Sequence, residues 1–446
     1  MPTPSRGSSR AVRPTRRGWS VLLTAGAVLV GATLIDRREG LYLSAFLVLL
    51  FAGSVVYVHG HRPRLTAVRS FSPPSVMVGE PALVHTRVTS KTDLETVTVW
   101  TEQVPAAFGR TPTGELPRGR WQPGRGYSAD LEYELRSSRR GRYPIGPLWV
   151  THGDPFGLVV AERAIAGSRE ISITPRVSVL ANAGLANASG DGVRHELNHF
   201  AAHRADELIA REYRTGDSLR RVHWSQTARR GELMVRQEER QGDPEAAIVL
   251  DTALAGRGEA NGATSDAHFE RMVELAASLG VHLLDAGYQL SLIESATDAV
   301  SNADGASPYR ISRFEPGAAP ALLDTLAETQ RHPVRDGYDA TAGLGTVIRR
   351  TGKVMPVFAV LGHVSPTGAR RLAAMKINAA PAVAFITQDE RQLRNADSTE
   401  AQVLGDAGWR TAQLTERTPV VEAWSLVAFG AAGGQTGKGG RDRVGN

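Results

Sequence analysis

Residues 207–238 read ELIAREYRTGDSLRRVHWSQTARRGELMVRQE, a run of charged residues around aromatic and apolar ones. The pattern predicts a strand over 208–213, a turn at Gly216-Asp217, a helix over 218–227 and a strand over 233–237. Asp217 is expected to cap the helix, because its short acceptor side chain satisfies free backbone N–H groups. Trp224 is expected to anchor the helix beside an apolar stripe of Leu219 and Val222. The stretch is therefore predicted to form a strand–helix–strand block.

This block is rich in arginine. Planar guanidinium groups match carboxylates in geometry, so its arginines are candidates for specific ion pairs. The alternative is a solvated or internally paired ion network, which contributes little stability when it is exposed. The candidate arginines are Arg211, Arg214, Arg220, Arg221, Arg229 and Arg230, and the acids that they face include Glu212, Asp217 and Glu232.

The block resembles the signature of an uncharacterised bacterial family called domain of unknown function 58. A stretch upstream is similar to the family's preceding block, so the resemblance covers most of the chain. The signature matches are Arg211-Glu212-Tyr213, Gly216-Asp217, Arg220, Trp224, Ala228-Arg229 and Leu233. The upstream matches are Arg140-Gly141-Arg142-Tyr143, Ile145-Gly146-Pro147, Asp154-Pro155-Phe156-Gly157-Leu158 and Thr174-Pro175-Arg176-Val177.

The composition is that of a protein with several globular domains. The chain has 446 residues, and 41% of them are hydrophobic, which is enough for a core in each of two or three domains. The absence of cysteine excludes disulfide bonds, thiol nucleophiles and cysteine-ligated zinc. Much of the net charge of +6 lies in a basic arm at residues 1–18, so anionic lipid is a better predicted partner than nucleic acid. No cofactor is indicated.

Two apolar segments follow the basic arm. Trp19 to Ile35 and Leu41 to Val58 contain no charged residue, and each covers roughly 25–27 Å as a helix. Residues 19–58 are therefore predicted to form a two-helix transmembrane hairpin in the cell membrane. The excess of arginine before the first helix predicts that the N-terminus and the soluble domains are cytoplasmic. A cleaved signal peptide, with small residues at Ala25 and Ala27 near the cleavage site, is the alternative.

Residues 64–177 show strand spacing. Short alternating runs such as 82–88 and 96–100 are separated by proline and glycine clusters. This pattern favours an immunoglobulin-like β-sandwich. Three aromatic residues, Tyr143, Trp149 and Phe156, are interpreted as core or turn-packing residues.

Residues 178–206 are predicted to be a linker, and they contain His195-Glu196-Leu197-Asn198-His199. On a helix the two histidines share one face and can bind zinc, with Glu196 as the base that activates metal-bound water. This reading predicts a membrane metallopeptidase. The alternative is a solvated histidine-bearing helix or loop, since such a short pattern arises by chance and the pattern does not specify a third ligand, for which Glu207 and Glu212 are the candidates.

Beyond Glu245 the chain alternates predicted strands, among them 289–293 and 354–361, with predicted helices, among them 319–328 and 420–429. This alternation indicates a doubly wound parallel sheet. The family resemblance implies that this half is similar to a von Willebrand factor type A domain. The first strand of such domains normally ends in Asp-x-Ser-x-Ser, which holds a divalent cation. Here Asp251-Thr252-Ala253-Leu254-Ala255 lacks both hydroxyls, and Gly362-His363 replaces a further aspartate. We therefore expect a degenerate site, with Asp251 as a structural or docking carboxylate.

The sequence thus indicates a multi-domain α/β plus all-β protein without a complete catalytic constellation. The family resemblance implies partners of two kinds, a MoxR-type AAA+ ATPase and a transglutaminase-like membrane protein, and hence a scaffold role in envelope maturation or complex assembly. Besides the zinc peptidase, an extracellular adhesion module is the remaining alternative. The predicted divisions are the arm 1–18, hairpin 19–58, sandwich 64–177, linker 178–206, signature block 207–244, α/β domain 245–429 and a disordered tail at 430–446.

Overall fold

The computed structural model divides into two compact units, Met1–Thr174 and Pro175–Asn446. Both candidate zinc ligands, His195 and His199, lie outside the described residues, as does the predicted tail. The structure describes residues 12–61, 64–90, 99–117, 120–122, 126–181, 210–213, 222, 224–236, 244–254, 262–302, 305–333, 341–349, 354–362, 364–387 and 399–429.

The first unit contains a pair of apolar helices, α1 (Arg16–Ile35) and α2 (Arg38–Gly60). Small residues of α1 form the interface, because Gly18, Ala25 and Ala32 are buried. Across that interface the Ser44 hydroxyl donates a hydrogen bond of 2.9 Å to the Ala25 carbonyl. Both helices are long and apolar enough to cross a membrane. Their large apolar side chains point outward, and the exposed ones include Trp19, Leu23, Leu34, Tyr42, Phe46 and Leu49.

Twelve short strands make up the sheets of the first unit in its described part. One sheet has the order β1-β11-β10-β5-β6, a second β2-β4-β8-β7 and a third β3-β12-β9. All pairs are antiparallel except β3 with β12. The strands are β1 (Arg13–Pro14), β2 (Leu65–Ser72), β3 (Ser75–Met77), β4 (Pro81–Ser90), β5 (Val99–Glu102), β6 (Thr113–Glu115), β7 (Arg120–Gln122), β8 (Gly126–Arg136), β9 (Gly141–Ile145), β10 (Leu148–Gly153), β11 (Val159–Ala166) and β12 (Arg169–Thr174).

Alternating apolar residues of these strands form the core, as the period of a half-buried strand requires. Val88 of β4 and Leu131 of β8 pack in one cluster with Trp100 of β5 and Leu148 of β10, so two sheets contribute to it. The predicted packing role of Tyr143 fits its ring contact, edge-on to Phe108 at 5.2 Å between centroids. A core role for Phe156 is wrong, because its residue surface is 59% exposed at the tip of a turn.

A buried ion pair joins two of the sheets. Arg69 of β2 and Glu102 of β5 lie 2.5 Å apart, with side chains 2% and 0% exposed. Arg69 also donates to the carbonyls of Ile145 and Gly167, at 2.8 and 3.0 Å. The Tyr133 hydroxyl donates to the second oxygen of Glu102 at 2.8 Å. Burial raises the pKa of Glu102, while the charge of Arg69 and the Tyr133 hydrogen bond oppose that shift.

Gly146, between β9 and β10, packs tightly beside this ion pair. Its φ is +113°, and its N–H donates to the Gln103 carbonyl at 2.8 Å. An added Cβ would lie 2.7 Å from the Gly167 carbonyl oxygen and 3.0 Å from the Ser168 Cα. The glycine of the Ile145-Gly146-Pro147 motif is therefore required by both backbone conformation and space.

The second unit is built on a six-stranded sheet of order β18-β17-β15-β20-β21-β22. Every pair is parallel except β17 with β18. The predicted parallel sheet is thus confirmed, with one antiparallel edge strand. Its strands are β15 (Glu245–Leu250), β17 (Gln289–Asn302), β18 (Gly305–Phe314), β20 (Met355–Leu361), β21 (Ala379–Thr387) and β22 (Arg410–Leu414), and the two-residue strands β16 (Ala253–Leu254) and β19 (His332–Pro333) pair beside it.

Helices cover both faces of this sheet. Helices α4 (Gly262–Asp285), α5 (Ala319–Glu328) and α9 (Val420–Phe429) contribute to one core cluster. Helices α6 (Leu344–Arg349), α7 (Pro366–Ala374) and α8 (Thr399–Asp406) contribute to the other. Strand β20 is buried along its whole length, as expected for a central parallel strand.

Candidate functional site

The signature block forms a strand–helix–strand arrangement in its described part. Strand β13 (Ala210–Glu212) pairs antiparallel with β14 (Met234–Arg236), and helix α3 (Trp224–Arg230) lies between them in sequence. The Tyr213 N–H donates to the Leu233 carbonyl at 2.8 Å, which extends this pairing. The Thr227 hydroxyl accepts the Met234 N–H at 3.1 Å and so fixes the helix against the second strand.

The predicted position of the helix is wrong. Val222 lies in an isolated β-bridge, and the helix begins two residues later at Trp224 and ends at Arg230. The spacing of three between Leu219 and Val222 predicted one helical turn. So short an apolar pattern is equally compatible with an extended backbone, which β-branched residues such as valine favour. Gly216, Asp217 and Arg220, including the predicted helix cap, lie outside the described residues.

Two apolar residues of the block are buried, while its tryptophan is not. Met234 is 2% and Val222 7% exposed, so both side chains are buried. Trp224 is 69% exposed, and its predicted role as the helix anchor is wrong. Trp224 stands at the first position of the helix.

Further signature residues are accessible on this block. Tyr213 is 36% and Leu233 42% exposed, and Arg229 and Arg230 are exposed as well. Arg211 and Glu212 lie in β13, where the structure describes their backbone pairing with Val235 and Met234. We call Tyr213, Trp224, Arg229 and Leu233, together with the adjacent Arg230, the exposed signature residues.

A second candidate site lies at the carboxyl edge of the parallel sheet. The strand order reverses between β15 and β20, and ligands of open α/β sheets bind at such a point. Asp251 follows β15 directly and is 6% exposed. One carboxylate oxygen accepts the Ala253 N–H at 3.0 Å and the Ser295 hydroxyl at 3.1 Å. The other accepts the Gly362 N–H at 3.3 Å.

Hydroxyl groups beside Asp251 are also engaged with protein partners. The Ser295 hydroxyl accepts the Thr252 N–H at 2.8 Å, and the Thr252 hydroxyl donates to the Ser295 carbonyl. Thr387, at the end of β21, donates to the Leu361 carbonyl at 3.1 Å. Burial raises the pKa of Asp251, and the three hydrogen bonds together with the charge of Arg331 oppose the rise. Ser295 carries no sequence signal that marks it as the partner of Asp251.

The described residues around Asp251 do not fit a divalent cation. A hard cation needs several oxygen ligands, but both oxygens of Asp251 already receive N–H or O–H donors. Within the described residues, no group of three or more histidine, aspartate or glutamate side chains is arranged to hold a metal ion. The geometry instead suits a carboxylate that ties the ends of β15, β17 and β20 together.

Replacing Asp251 by alanine is expected to lower the free energy of unfolding of the second unit by about 1–3 kcal/mol, because buried donors lose their acceptor. The Asp251→Asn variant keeps one acceptor oxygen, so a smaller loss is expected. Hydrogen exchange of peptides from β15 and β20 measures the effect. Asp406→Ala, at an exposed aspartate in the same unit, is the control. An unchanged exchange rate in Asp251→Ala would contradict the structural role.

Comparison with known proteins identifies a family for part of the chain. Residues 209–375 match the family model described as "Protein of unknown function DUF58". This match begins at the signature block and includes Asp251. No curated protein matches the chain.

Solved structures resemble the chain only weakly. The CARDB domain of a Pyrococcus furiosus protein, in complex with di-metal ions, is 15% identical, with 25% of this chain and 93% of that one covered and a TM-score of 0.17. The C-terminal domain of wzt is 14% identical, with 26% and 77% covered and a TM-score of 0.20. Likenesses at these scores carry no argument about fold or function.

Proposed function

We propose that this chain, which belongs to the DUF58 family through its residues 209–375, is a non-catalytic, membrane-anchored scaffold. In this proposal, a partner protein docks on the exposed signature residues. The observation that carries the proposal is the 69% exposure of Trp224 on α3, a short helix that also carries the exposed Arg229 and Arg230. Tryptophan and arginine are enriched among the residues that dominate protein–protein binding energy. A tryptophan that contributes little to its own core has surface available for a partner.

The anchor in this proposal is the helix pair α1 and α2. The Thr15 N–H donates to the Leu158 carbonyl at 2.8 Å, so the beginning of α1 lies against the strands of the first unit. Helix α2 leads into β2 at the same end of the pair. Residues 12–18 and the strands are therefore on one side of the proposed membrane. The positive-inside rule makes that side the cytoplasm, in a two-pass cell-membrane protein.

The proposal also includes a specific fold assignment for each unit. The sheet order of the second unit, with strands numbered within that sheet, is 3-2-1-4-5-6, which supports a doubly wound domain similar to the von Willebrand factor type A domain. The packed antiparallel sheets of the first unit support an immunoglobulin-like sandwich. By the family resemblance, the proposed partners are a MoxR-type AAA+ ATPase and a transglutaminase-like membrane protein that act in envelope maturation or complex assembly.

A Trp224→Ala variant is expected to lose the partner. Intact membranes are crosslinked, the chain is isolated in detergent with and without ATP, and captured proteins are identified by mass spectrometry. The native chain is expected to recover an AAA+ ATPase, and the variant is expected to recover at most about one tenth of that amount. This is the loss expected when a residue that contributes more than about 1.4 kcal/mol to binding is removed. Its exposure predicts that Trp224→Ala folds normally.

The matched control is Trp121→Ala, which removes a 61% exposed tryptophan from β7 of the first unit. Recovery of the ATPase by this control and its loss from Trp224→Ala would support docking on the signature block. Equal recovery by both variants would overturn that docking surface. Capture of no ATPase by any of the three chains would overturn the proposed partner.

A further inference from the structure

A tight turn at Asp154–Gly157 holds the beginning of helix α1. Asp154 is 6% exposed, and its carboxylate accepts the N–H groups of Phe156 and Val159 at 2.9 and 2.6 Å. The Thr15 hydroxyl donates to the Gly157 carbonyl at 2.6 Å and also caps the helix by accepting the Gly18 N–H at 3.1 Å. The turn and the first turn of α1 are therefore bound to each other.

The segment just before the helix is fixed in the same way. Strand β1 pairs with β11 at the edge of the five-stranded sheet, with Arg13 opposite Val160 and Pro14 opposite Val159. Gly18 allows the close approach, since an added Cβ there would overlap the Leu158 carbonyl oxygen. The turn thus sits at a defined level relative to the apolar part of α1.

Phe156 at the tip of this turn is 59% exposed. Full burial of such a side chain stabilises a protein by about 1.5–3 kcal/mol, and the contacts within the first unit provide only part of that burial. Trp19, one helical turn into α1, is 57% exposed, and tryptophan is enriched at the interface between lipid and water. Phe156 lies one residue before Gly157, whose carbonyl accepts the Thr15 hydroxyl, and Trp19 lies one helical turn after Thr15.

Positive charge surrounds the turn. Arg13, Arg16 and Arg17 are exposed. The guanidinium of Arg17 approaches the turn, since a Cβ on Gly157 would lie 3.9 Å from its Nη1 atom. Arginine close to a membrane surface is attracted to anionic headgroups, at about 1 kcal/mol per residue.

We propose that Phe156, Arg13, Arg16 and Arg17 form a second membrane contact, distinct from the helices that span the bilayer. Phe156 inserts at the boundary between headgroups and acyl chains, and the three arginines bind the phosphates of anionic phospholipids. The charge of the arginines and the hydrogen bonds that hold the turn at the beginning of α1 select a lipid surface as the occupant. This inference rests on the proposed transmembrane anchor.

The absence of cysteine makes the test direct, because single cysteines can be introduced and spin-labelled in the full chain. The labelled variants Phe156→Cys, Leu23→Cys and Glu80→Cys are placed in lipid nanodiscs of phosphatidylcholine with phosphatidylglycerol. Collision with oxygen and with a water-soluble nickel complex reports the depth of each label. Leu23 is 70% exposed on α1 and tests the anchor itself.

Glu80→Cys is the control for a label remote from the membrane. Glu80 immediately precedes β4. The other end of β4, at Ser90, pairs with Leu65, which follows α2 closely in the sequence. Ten strand residues place Glu80 roughly 33 Å from that end. The expected result is a deep Leu23 label, an interfacial Phe156 label with reduced nickel collision, and a fully accessible Glu80 label. Nanodiscs without phosphatidylglycerol, or Arg16→Gln with Arg17→Gln, are expected to raise nickel collision at Phe156.

The outcomes separate the two proposals. A deep Leu23 label together with a Phe156 label as accessible to nickel as the Glu80 label would overturn the second contact and leave the anchor standing. A Leu23 label in water would overturn the anchor and the inference together. A Phe156 label that remains interfacial in neutral lipid and in the double arginine variant would overturn the part assigned to anionic headgroups.

Discussion

Replacing Glu102 by alanine is expected to lower the free energy of unfolding of the first unit by about 3–5 kcal/mol, because it leaves the Arg69 guanidinium buried without its counter-charge. Tyr133 loses its hydrogen-bond acceptor in the same variant. Because Arg69 and Glu102 belong to different sheets, the loss falls on the packing between the sheets. Hydrogen exchange of peptides from β4 and β8, followed by mass spectrometry, measures the opening of this core.

The control for this ion pair is an exposed one in the same unit. Arg87 and Asp130 lie 2.8 Å apart, with side chains 69% and 58% exposed. Asp130→Ala is expected to leave the exchange of those peptides unchanged, because solvent screens exposed pairs. Similar exchange rates in Glu102→Ala and the control would contradict the structural importance of the buried pair.

The buried carboxyl also has an expected dependence on pH. Burial raises the pKa of Glu102 in the folded chain above that in the unfolded chain. Between the two pKa values the folded state binds more protons, so the stability contributed by this group is present at low pH and is lost as pH rises through the folded pKa. Glu102→Gln is expected to remove this slope from the exchange measurements.

A Gly146→Ala variant is expected to destabilise the same unit by about 3 kcal/mol or more. The methyl group meets the backbone atoms of Gly167 and Ser168, which no side-chain rotation can move away. The positive φ of +113° adds strain that only glycine avoids. A shift of this backbone would also disturb Arg69, which donates to the Gly167 carbonyl. Thermal unfolding of the detergent-solubilised chain, alongside the same exchange experiment, measures the loss.

Gly109→Ala separates conformational strain from the clash. Gly109 also has a positive φ, at +73°, but nothing lies within 4 Å of the position of an added Cβ. Its substitution is expected to cost about 1–3 kcal/mol, the cost of a backbone conformation that only glycine adopts freely. An equal loss in both variants would show that the close approach at Gly146 contributes nothing.

Long apolar patterns predicted the second unit well. Helices over 319–328 and 420–429 occur at the predicted residues, and β20 begins one residue after the predicted start. The strand predicted at 289–293 continues to Asn302. The pairing of β17 with β15 ends at Glu294, but its pairing with β18 continues to Asn302. The polar residues after Ile293 gave no apolar run that would have indicated this extension.

Contacts between distant residues were outside the reach of sequence patterns. Arg69 and Glu102 are 33 positions apart and stand on strands of different sheets, so no local spacing indicates that they meet. Trp224 was expected to anchor a helix beside Leu219 and Val222, but Val222 lies in a bridge before the helix, and Trp224 is 69% exposed. The Asp154 turn was noted as part of a motif, and its role in holding α1 required the structure.

The pairing of β1 with β11 has a consequence for biosynthesis. Thr15 and Gly157 are 142 positions apart, so a ribosome that adds about 5–20 residues per second makes the second roughly 7–30 s after the first. The helix pair therefore leaves the ribosome long before β11, with which β1 pairs, has been synthesised. We therefore expect nascent chains to insert into the bilayer first, and the edge of the five-stranded sheet to close onto an anchor that is already in place.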